Sequence, residues 1–268
     1  MNSIVISIIV LGVVGLVIGI MLGVAGQKFA VEVDPKITAV REVLPGNNCG
    51  ACGFPGCDGL AAAIAEGRAP VNGCPVGGAA VAEKVSGIMG VSAGASDKQV
   101  AFVKCAGDCN KTRQTYDYAG VKSCKMMPFV PAGGPKSCSY GCLGYGDCVE
   151  VCQFDAIHIV DGIAVVDKEK CTSCQACIKA CPQHLIELVP YQPRKKYHVA
   201  CSNKDRGKAV MDACDVGCIA CKKCEKACPV QAVTVEDNVA RINYEKCIGC
   251  GKCAKDCPKG IILNWDQN

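Results

Sequence analysis

Cysteine is the residue that could do chemistry in this chain, 25 times in 268 residues. Cys171, Cys174, Cys177 and Cys181, with Pro182 behind, spell C-x2-C-x2-C-x3-C-P. The same string returns at Cys218, Cys221, Cys224 and Cys228-Pro229, and again at Cys247, Cys250, Cys253 and Cys257-Pro258. Three thiolates at intervals of three wrap a short loop around a four-iron four-sulfur cluster. The fourth, held off by three residues and stopped by proline, turns toward a neighbouring cluster. Zinc sites also use cysteine pairs, but they close at four ligands in two pairs, whereas overlapping triplets with a cysteine before proline suit the cubane. The chemistry is therefore electron transfer.

Cys138, Cys142, Cys148, Cys152, Cys171, Cys174, Cys177 and Cys181 each have a cysteine 76 residues later, which marks a duplicated unit. Exchange of the fourth ligand within each copy groups Cys218, Cys221, Cys224 and Cys257 on one cluster and Cys247, Cys250, Cys253 and Cys228 on its partner. In the first copy Cys171, Cys174, Cys177 and Cys152 make one cluster. The other departs from pattern: Tyr145 stands where Cys221 would be, and Cys152 is followed by Gln153. Cys138 is the expected substitute, giving Cys138, Cys142, Cys148 and Cys181.

Between the cysteine runs, residues 156–167 and 232–243 read as pairs of short apolar strands turning at Asp161-Gly162 and Asp237-Asn238. Hairpin, short helix and doubled cysteine run resemble the two-cluster bacterial ferredoxin over residues 138–183 and 214–262.

Upstream, Cys49, Cys52, Cys57 and Cys74 follow a different spacing, C-x2-C-x4-C-x16-C. Gly50, Gly53 and Gly56 let the backbone pass close to a cluster and offer it amide donors. An alanine-rich helix is expected over 58–66, a capped helix after Asp34-Pro35, a further helix over 79–89 and a linker over 91–96. This block resembles the single-cluster domain found in the B-type subunit of Rnf complexes and in corrinoid iron-sulfur proteins.

Residues 4–25 contain no charge, and 22 residues at about 1.5 Å each match the hydrocarbon core of a bilayer. The stretch reads as a retained transmembrane helix rather than a cleaved signal, since no basic residue precedes it and no A-x-A site closes it. Lys28, Lys36 and Arg41 follow it, which places the bulk of the chain in the cytoplasm. Gly15, Gly19 and Gly23 clear one face for another helix.

Four ligands near the N-terminus and sixteen in the two modules leave five thiols. A strand is expected over 99–105 and a short helix over 110–118. A sixth cluster is expected on Cys105, Cys109 and Cys124, completed by Cys201 or Cys214.

Composition excludes other classes. The odd cysteine count and dense C-x2-C spacing exclude a disulfide scaffold. The formal charge of +4 counts the thiols as neutral; six clusters at about −2 each bring the chain to about −8. No nucleic acid partner is expected. No G-x-G-x-x-G opens a helix after a strand, and His158, His184 and His198 stand alone, so no nucleotide site or catalytic constellation is legible. The basic runs Arg194-Lys195-Lys196 and Lys222-Lys223-Lys226 flank cluster loops and could steer an acidic ferredoxin.

Over its whole length the chain resembles the B-type subunit of the Rnf complex, the membrane-bound ion-translocating ferredoxin:NAD oxidoreductase, in its long form with duplicated modules. That resemblance implies an electron-transfer subunit of an enzyme complex, accepting electrons from reduced ferredoxin and relaying them to other membrane and peripheral subunits. The expected fold is α+β: a transmembrane anchor over 1–27, lodged in the lipid bilayer; a single-cluster domain with linker over 28–96; a cysteine-containing intervening region over 97–137; and ferredoxin-like modules over 138–190 and 191–268. Five 4Fe-4S clusters are expected, and the sixth.

Overall fold

A computed structural model describes residues 2–28, 34–92, 94, 98–192 and 197–265. The run Arg194-Lys195-Lys196 lies outside the described residues, as does part of the 91–96 linker. Helix α1 (Asn2–Lys28) is uninterrupted, and its segment Ile8–Gly26 is long and apolar enough to cross a membrane. Among its described side chains, Leu11, Met21 and Leu22 are all about 70% exposed (72%, 70% and 68%), as lipid-facing residues would be.

Helix α2 (Pro35–Val43) starts where the sequence predicts, with Pro35 in the first turn and the Asp34 carboxylate accepting from Lys36 N–H at 2.8 Å. With α3 (Gly56–Ala65) and α4 (Gly78–Met89) it closes a small core around Val40, Leu60, Ile64 and Val85. Gly90, at φ 69°, ends α4 in the left-handed cap that glycine adopts without strain.

The rest of the chain is two copies of one plan. The first contains β1 (Gln99–Val103), β2 (Ile157–Val160), β3 (Ile163–Val166) and β4 (Ile186–Pro190) with α5 (Asp147–Glu150) and α6 (Ala176–Ala180). The second contains β5 (Tyr197–Val199), β6 (Val233–Glu236), β7 (Val239–Ile242) and β8 (Ile262–Asn264) with α7 (Gly207–Ala213), α8 (Lys223–Ala227) and α9 (Lys252–Lys255). Strands β2–β3 and β6–β7 are the expected hairpins, antiparallel from Ile157↔Val166 and from Val233↔Ile242. In each copy the leading strand pairs antiparallel with the closing one, β1 with β4 and β5 with β8. The equivalence extends to single bonds: Lys104 N–H donates to Leu185 O at 2.8 Å, and Ala200 N–H donates to Ile261 O at 2.9 Å.

Strand β1 joins the copies. Its alternate residues point to opposite faces, and both faces are buried: Ala101 and Val103 pack in the first-copy core with Ile157 and Ile186, while Val100 and Phe102 pack in the second-copy core with Val233, Ile262 and Trp265. The expected strand over 99–105 ends at Val103, two residues before Cys105.

The helix expected over 110–118 does not form. The Asp108 carboxylate accepts from the N–H groups of Asn110 and Lys111 at 2.9 and 3.0 Å, closing a turn in place of a helix start. The chain beyond is extended instead. Arg113 N–H donates to Ala213 O at 3.1 Å, Asp215 N–H donates to Lys111 O at 2.9 Å, and short bridges tie Thr112 to Cys214 and Gln114 to Lys136.

His198 is structural, as expected of a lone histidine, and it sits in an aromatic cluster. It is 1% exposed, stacks beside Phe102, Tyr244 and Trp265, and shares a 2.8 Å hydrogen bond between Nδ1 and the Tyr244 hydroxyl. Burial, with the nearby Lys168 charge second, pushes its imidazole down to about 3. A histidine with a depressed folded value takes up a proton on unfolding at any pH between that value and the free-chain value of about 6.5. Stability is therefore full above about pH 6.5 and falls as pH drops toward 3, by about 1.4 kcal/mol per pH unit. Anaerobic thermal melts should show the wild type losing midpoint relative to His198→Phe between pH 7 and 5; parallel profiles would contradict this.

Candidate metal centres

The thiols gather into rings, each with a local reason. In the first copy, Cys171, Cys174 and Cys177 sit on the loop entering α6, and Cys152 closes the ring after α5, around a cavity of about 360 Å³. Backbone N–H groups are aimed at the sulfurs: Ala101 at Cys171 and Ala156 at Cys152, both at 3.4 Å. In the second copy, Cys218, Cys221, Cys224 and Cys257 ring about 350 Å³. Cys253 lies beside Cys247, Cys228 and Cys250, its thiol pushed up to about 11 by burial first and by these neighbours. Ala232 N–H points at Cys228 Sγ at 3.2 Å. At the N-terminal unit Cys74 lies beside Cys57 and Cys52, and the Asn48 carboxamide holds Cys57 N–H at 2.8 Å.

Two rings differ from the expected sets. Cys138 does not join Cys142, Cys148 and Cys181. Cys124 does, around a cavity of about 390 Å³. The Asp147 carboxylate clamps it there, accepting from Cys124 N–H at 2.8 Å, Lys125 N–H at 3.0 Å and the Ser123 hydroxyl at 3.0 Å. Burial alone would raise the Asp147 carboxyl, but these donors outweigh it and hold it below its ordinary value.

The remaining ring is Cys105, Cys138, Cys201 and Cys214, around about 350 Å³. Cys105 and Cys109 therefore part company with Cys124, and both Cys201 and Cys214 take part. Each copy of the plan contributes two thiols to this ring: one just past its leading strand and one just ahead of its ferredoxin-like run. Asn203, 2% exposed, directs its side-chain N–H at Cys138 Sγ at 3.4 Å. Cys109 lies outside every ring, exposed, its N–H donated to Asp161 O at 2.8 Å.

This ring connects the copies. Cys142 N–H points at Cys105 Sγ, and Cys218 N–H points at Cys201 Sγ, both at 3.4 Å. Cys148 in turn faces Cys177 of the next ring. The order is thus Cys152/171/174/177, Cys124/142/148/181, Cys105/138/201/214, Cys218/221/224/257; Cys228/247/250/253 is the other ring of the second copy.

The rings suit a large anionic group better than a single ion. Zinc at about 2.3 Å from each sulfur draws its thiolates within about 4 Å of one another. Among the described residues no group of three His, Cys, Asp or Glu side chains is placed to hold a single metal ion. Burial, then neighbouring thiols, pushes Cys148 and Cys177 up to about 12, so iron must displace protons to bind.

Three family profiles match the chain: an Fe-S cluster profile over residues 44–76, a 4Fe-4S binding domain over 164–187 and a 4Fe-4S dicluster domain over 217–261. The chain is 49% identical over 247 residues to the B-type subunit of the Na(+)-translocating ferredoxin:NAD(+) oxidoreductase complex of Acetobacterium woodii, covering 92% of this chain and 73% of that one. It belongs to the family of Rnf B-type subunits. The B-type subunit of the ion-translocating oxidoreductase complex of Methanosarcina acetivorans is 45% identical, covering 92% of this chain and 93% of its own. Its counterpart in the proton-translocating ferredoxin:NAD(+) oxidoreductase complex of Clostridium ljungdahlii is 39% identical, covering 91% and 85%. Within this Rnf B-type chain, Cys105, Cys124, Cys138, Cys201 and Cys214 all fall outside the three profiles. Contiguous motifs see the ferredoxin-like runs; the ring between them is built from four separate segments. One sequence signal could have found it. If Cys214 is surplus to its module, its repeat mate Cys138 is surplus too.

Proposed function

We propose that each of the five rings, and the four cysteines of the N-terminal unit, holds one 4Fe-4S cluster, making the chain the electron wire of an ion-translocating ferredoxin:NAD oxidoreductase. The ligands are Cys49, Cys52, Cys57 and Cys74 in the N-terminal unit and the five rings named above, with Cys109 left out. The clusters supply one-electron carriers, and the protein supplies thiolates, N–H donors that tune potential, and exclusion of water. Reduced ferredoxin is the donor, and partner subunits holding flavin and nicotinamide sites receive the electrons. The anchor α1 holds the wire at the bilayer, with the rings on the cytoplasmic side, where reducing conditions keep thiols free.

The observation that supports this reading most directly is the run of four rings from Cys152/171/174/177 to Cys218/221/224/257, each handing an N–H or a thiol to the next. Anaerobic reconstitution should load about twenty-four irons per chain with matching sulfide, at four per cluster. Reduced ferredoxin should then bleach the visible absorbance. Zinc in the rings, or full iron with no bleaching by ferredoxin, would overturn the reading.

A further inference from the structure

The two ferredoxin-like copies carry the same kind of rings but not the same charge. Lys222, Lys223, Lys226, Lys246, Lys252 and Lys255 of the second copy are all exposed, and none forms an ion pair among the described residues. The positions 76 residues earlier are Gly146, Asp147, Glu150, Lys170, Ala176 and Lys179. Six positions thus total +6 in one copy and, as two lysines against two acids, 0 in the other. Even there Lys170 is paired, 3.1 Å from Asp155, and Asp147 is buried on the Cys124 segment. Neutralising the rings does not explain the difference, because both copies have them.

These lysines surround the most accessible rings. Cys221 and Cys250 are exposed, whereas all eight ring thiols of the first copy's two sets are buried or half-buried. Helices α8 and α9, which carry four of the six lysines, pack on each other between those loops. Ile248, next to Cys247, is 55% exposed and gives the basic surface an apolar centre; Thr172 holds that place in the first copy. A charged rim around a small apolar contact beside an exposed redox centre suits a transient protein partner.

We infer that this lysine-rimmed face of the second copy is the docking surface for a small acidic electron-carrier protein, so that electrons pass between carrier and chain at the Cys228/247/250/253 and Cys218/221/224/257 end. This rests on the reading that the rings hold clusters. One electron passes per encounter: the carrier is oxidised and a cluster reduced, with no bond made or broken. Steering by such a patch raises association about 10- to 1,000-fold and fades as salt screens it.

The test uses the full cluster-loaded chain in nanodiscs and a photoreduced acidic two-cluster ferredoxin as probe, with bleaching followed by stopped flow. Lys222→Glu/Lys223→Glu/Lys226→Glu should lower the second-order rate at least about tenfold at low salt and converge on wild type at high salt. The milder Lys246→Gln/Lys252→Gln/Lys255→Gln should move it the same way, which protects the test should the reversal variant fail to load iron. Reduction by a viologen radical, which needs no docking, should be unchanged in both. A variant as fast as wild type with ferredoxin overturns the inference. So does an equal loss from Lys170→Glu/Lys179→Glu in the first copy, or an effect seen only in discs containing anionic phospholipid, which would assign the lysines to the bilayer. Wild type reduced by viologen but not by ferredoxin would instead sink the donor reading itself.

Discussion

Cys124→Ala is expected to lower the iron content from about twenty-four toward twenty per chain and to remove one cluster from the electron paramagnetic resonance spectrum. Cys109→Ala should change neither. The reason is placement: Cys124 is buried in the ring with Cys142, Cys148 and Cys181, while Cys109 is exposed and outside the rings. Double variants separate this grouping from the one expected from spacing alone. Residues in one ring behave as a unit and residues in different rings add. Cys138→Ala/Cys181→Ala should therefore lose about eight irons, and Cys138→Ala/Cys201→Ala about four. The opposite pattern would return Cys138 to the first module. Asp147→Ala, which frees two backbone N–H groups and the Ser123 hydroxyl, should loosen the same ring alone. Unsatisfied buried donors of this kind are worth about 1–3 kcal/mol each. Asp147→Asn keeps an acceptor and should retain most of the iron.

Lys136→Met is expected to lower the reduction potentials of two clusters and leave the others in place. Lys136 is 8% exposed, and its Nζ donates to Gly162 O at 2.9 Å and Gly107 O at 3.3 Å. No carboxylate among the described residues pairs with it. A buried cation without a counter-ion is expensive, and the nearest negative charge available is in the rings. Its charge acts on Cys142, and Gly107 lies against Cys214 and Cys105. A positive charge favours the more negative, reduced state of a cluster. At a separation on the order of 8 Å and an effective dielectric of about 20, one charge is worth about 2 kcal/mol. For a one-electron couple that is about 90 mV. Redox titration should show two of the six centres shifted down by tens of millivolts, with Lys136→Arg restoring them. Potentials unchanged in a fully loaded Met variant would make Lys136 a purely structural lysine.

Much of this protein was legible because its ligands are local. A C-x2-C-x2-C loop gathers three thiols within seven residues, so the groupings around Cys171, Cys218 and Cys247 follow from backbone reach alone. The hairpins at Asp161-Gly162 and Asp237-Asn238, the capped helix after Asp34 and the apolar α1 are likewise short-range results of turn chemistry and periodicity. The first copy shows where this stops. It lacks a cysteine at Tyr145, and of the two upstream thiols Cys138 lies 4 residues before Cys142 and Cys124 lies 18 before it, so spacing favours the one that the structure does not use. Relative to the second copy, 20 extra residues separate its paired thiols: Cys105 and Cys138 are 33 apart, Cys201 and Cys214 only 13. That insertion carries Cys124 to the gap left by Tyr145.

What the sequence by itself determined is the kind of chemistry, the duplication, and the rings whose thiols are neighbours along the chain. The tertiary structure decided which distant thiols meet. Strand β1 buries one face in each copy, and this brings Cys105 and Cys138 against Cys201 and Cys214. The Asp147 carboxylate, accepting from the N–H groups of Cys124 and Lys125 and from the Ser123 hydroxyl, holds that thiol in the ring that Cys138 leaves. Both outcomes depend on burial and hydrogen bonding between segments far apart in sequence, where spacing carries no information about distance.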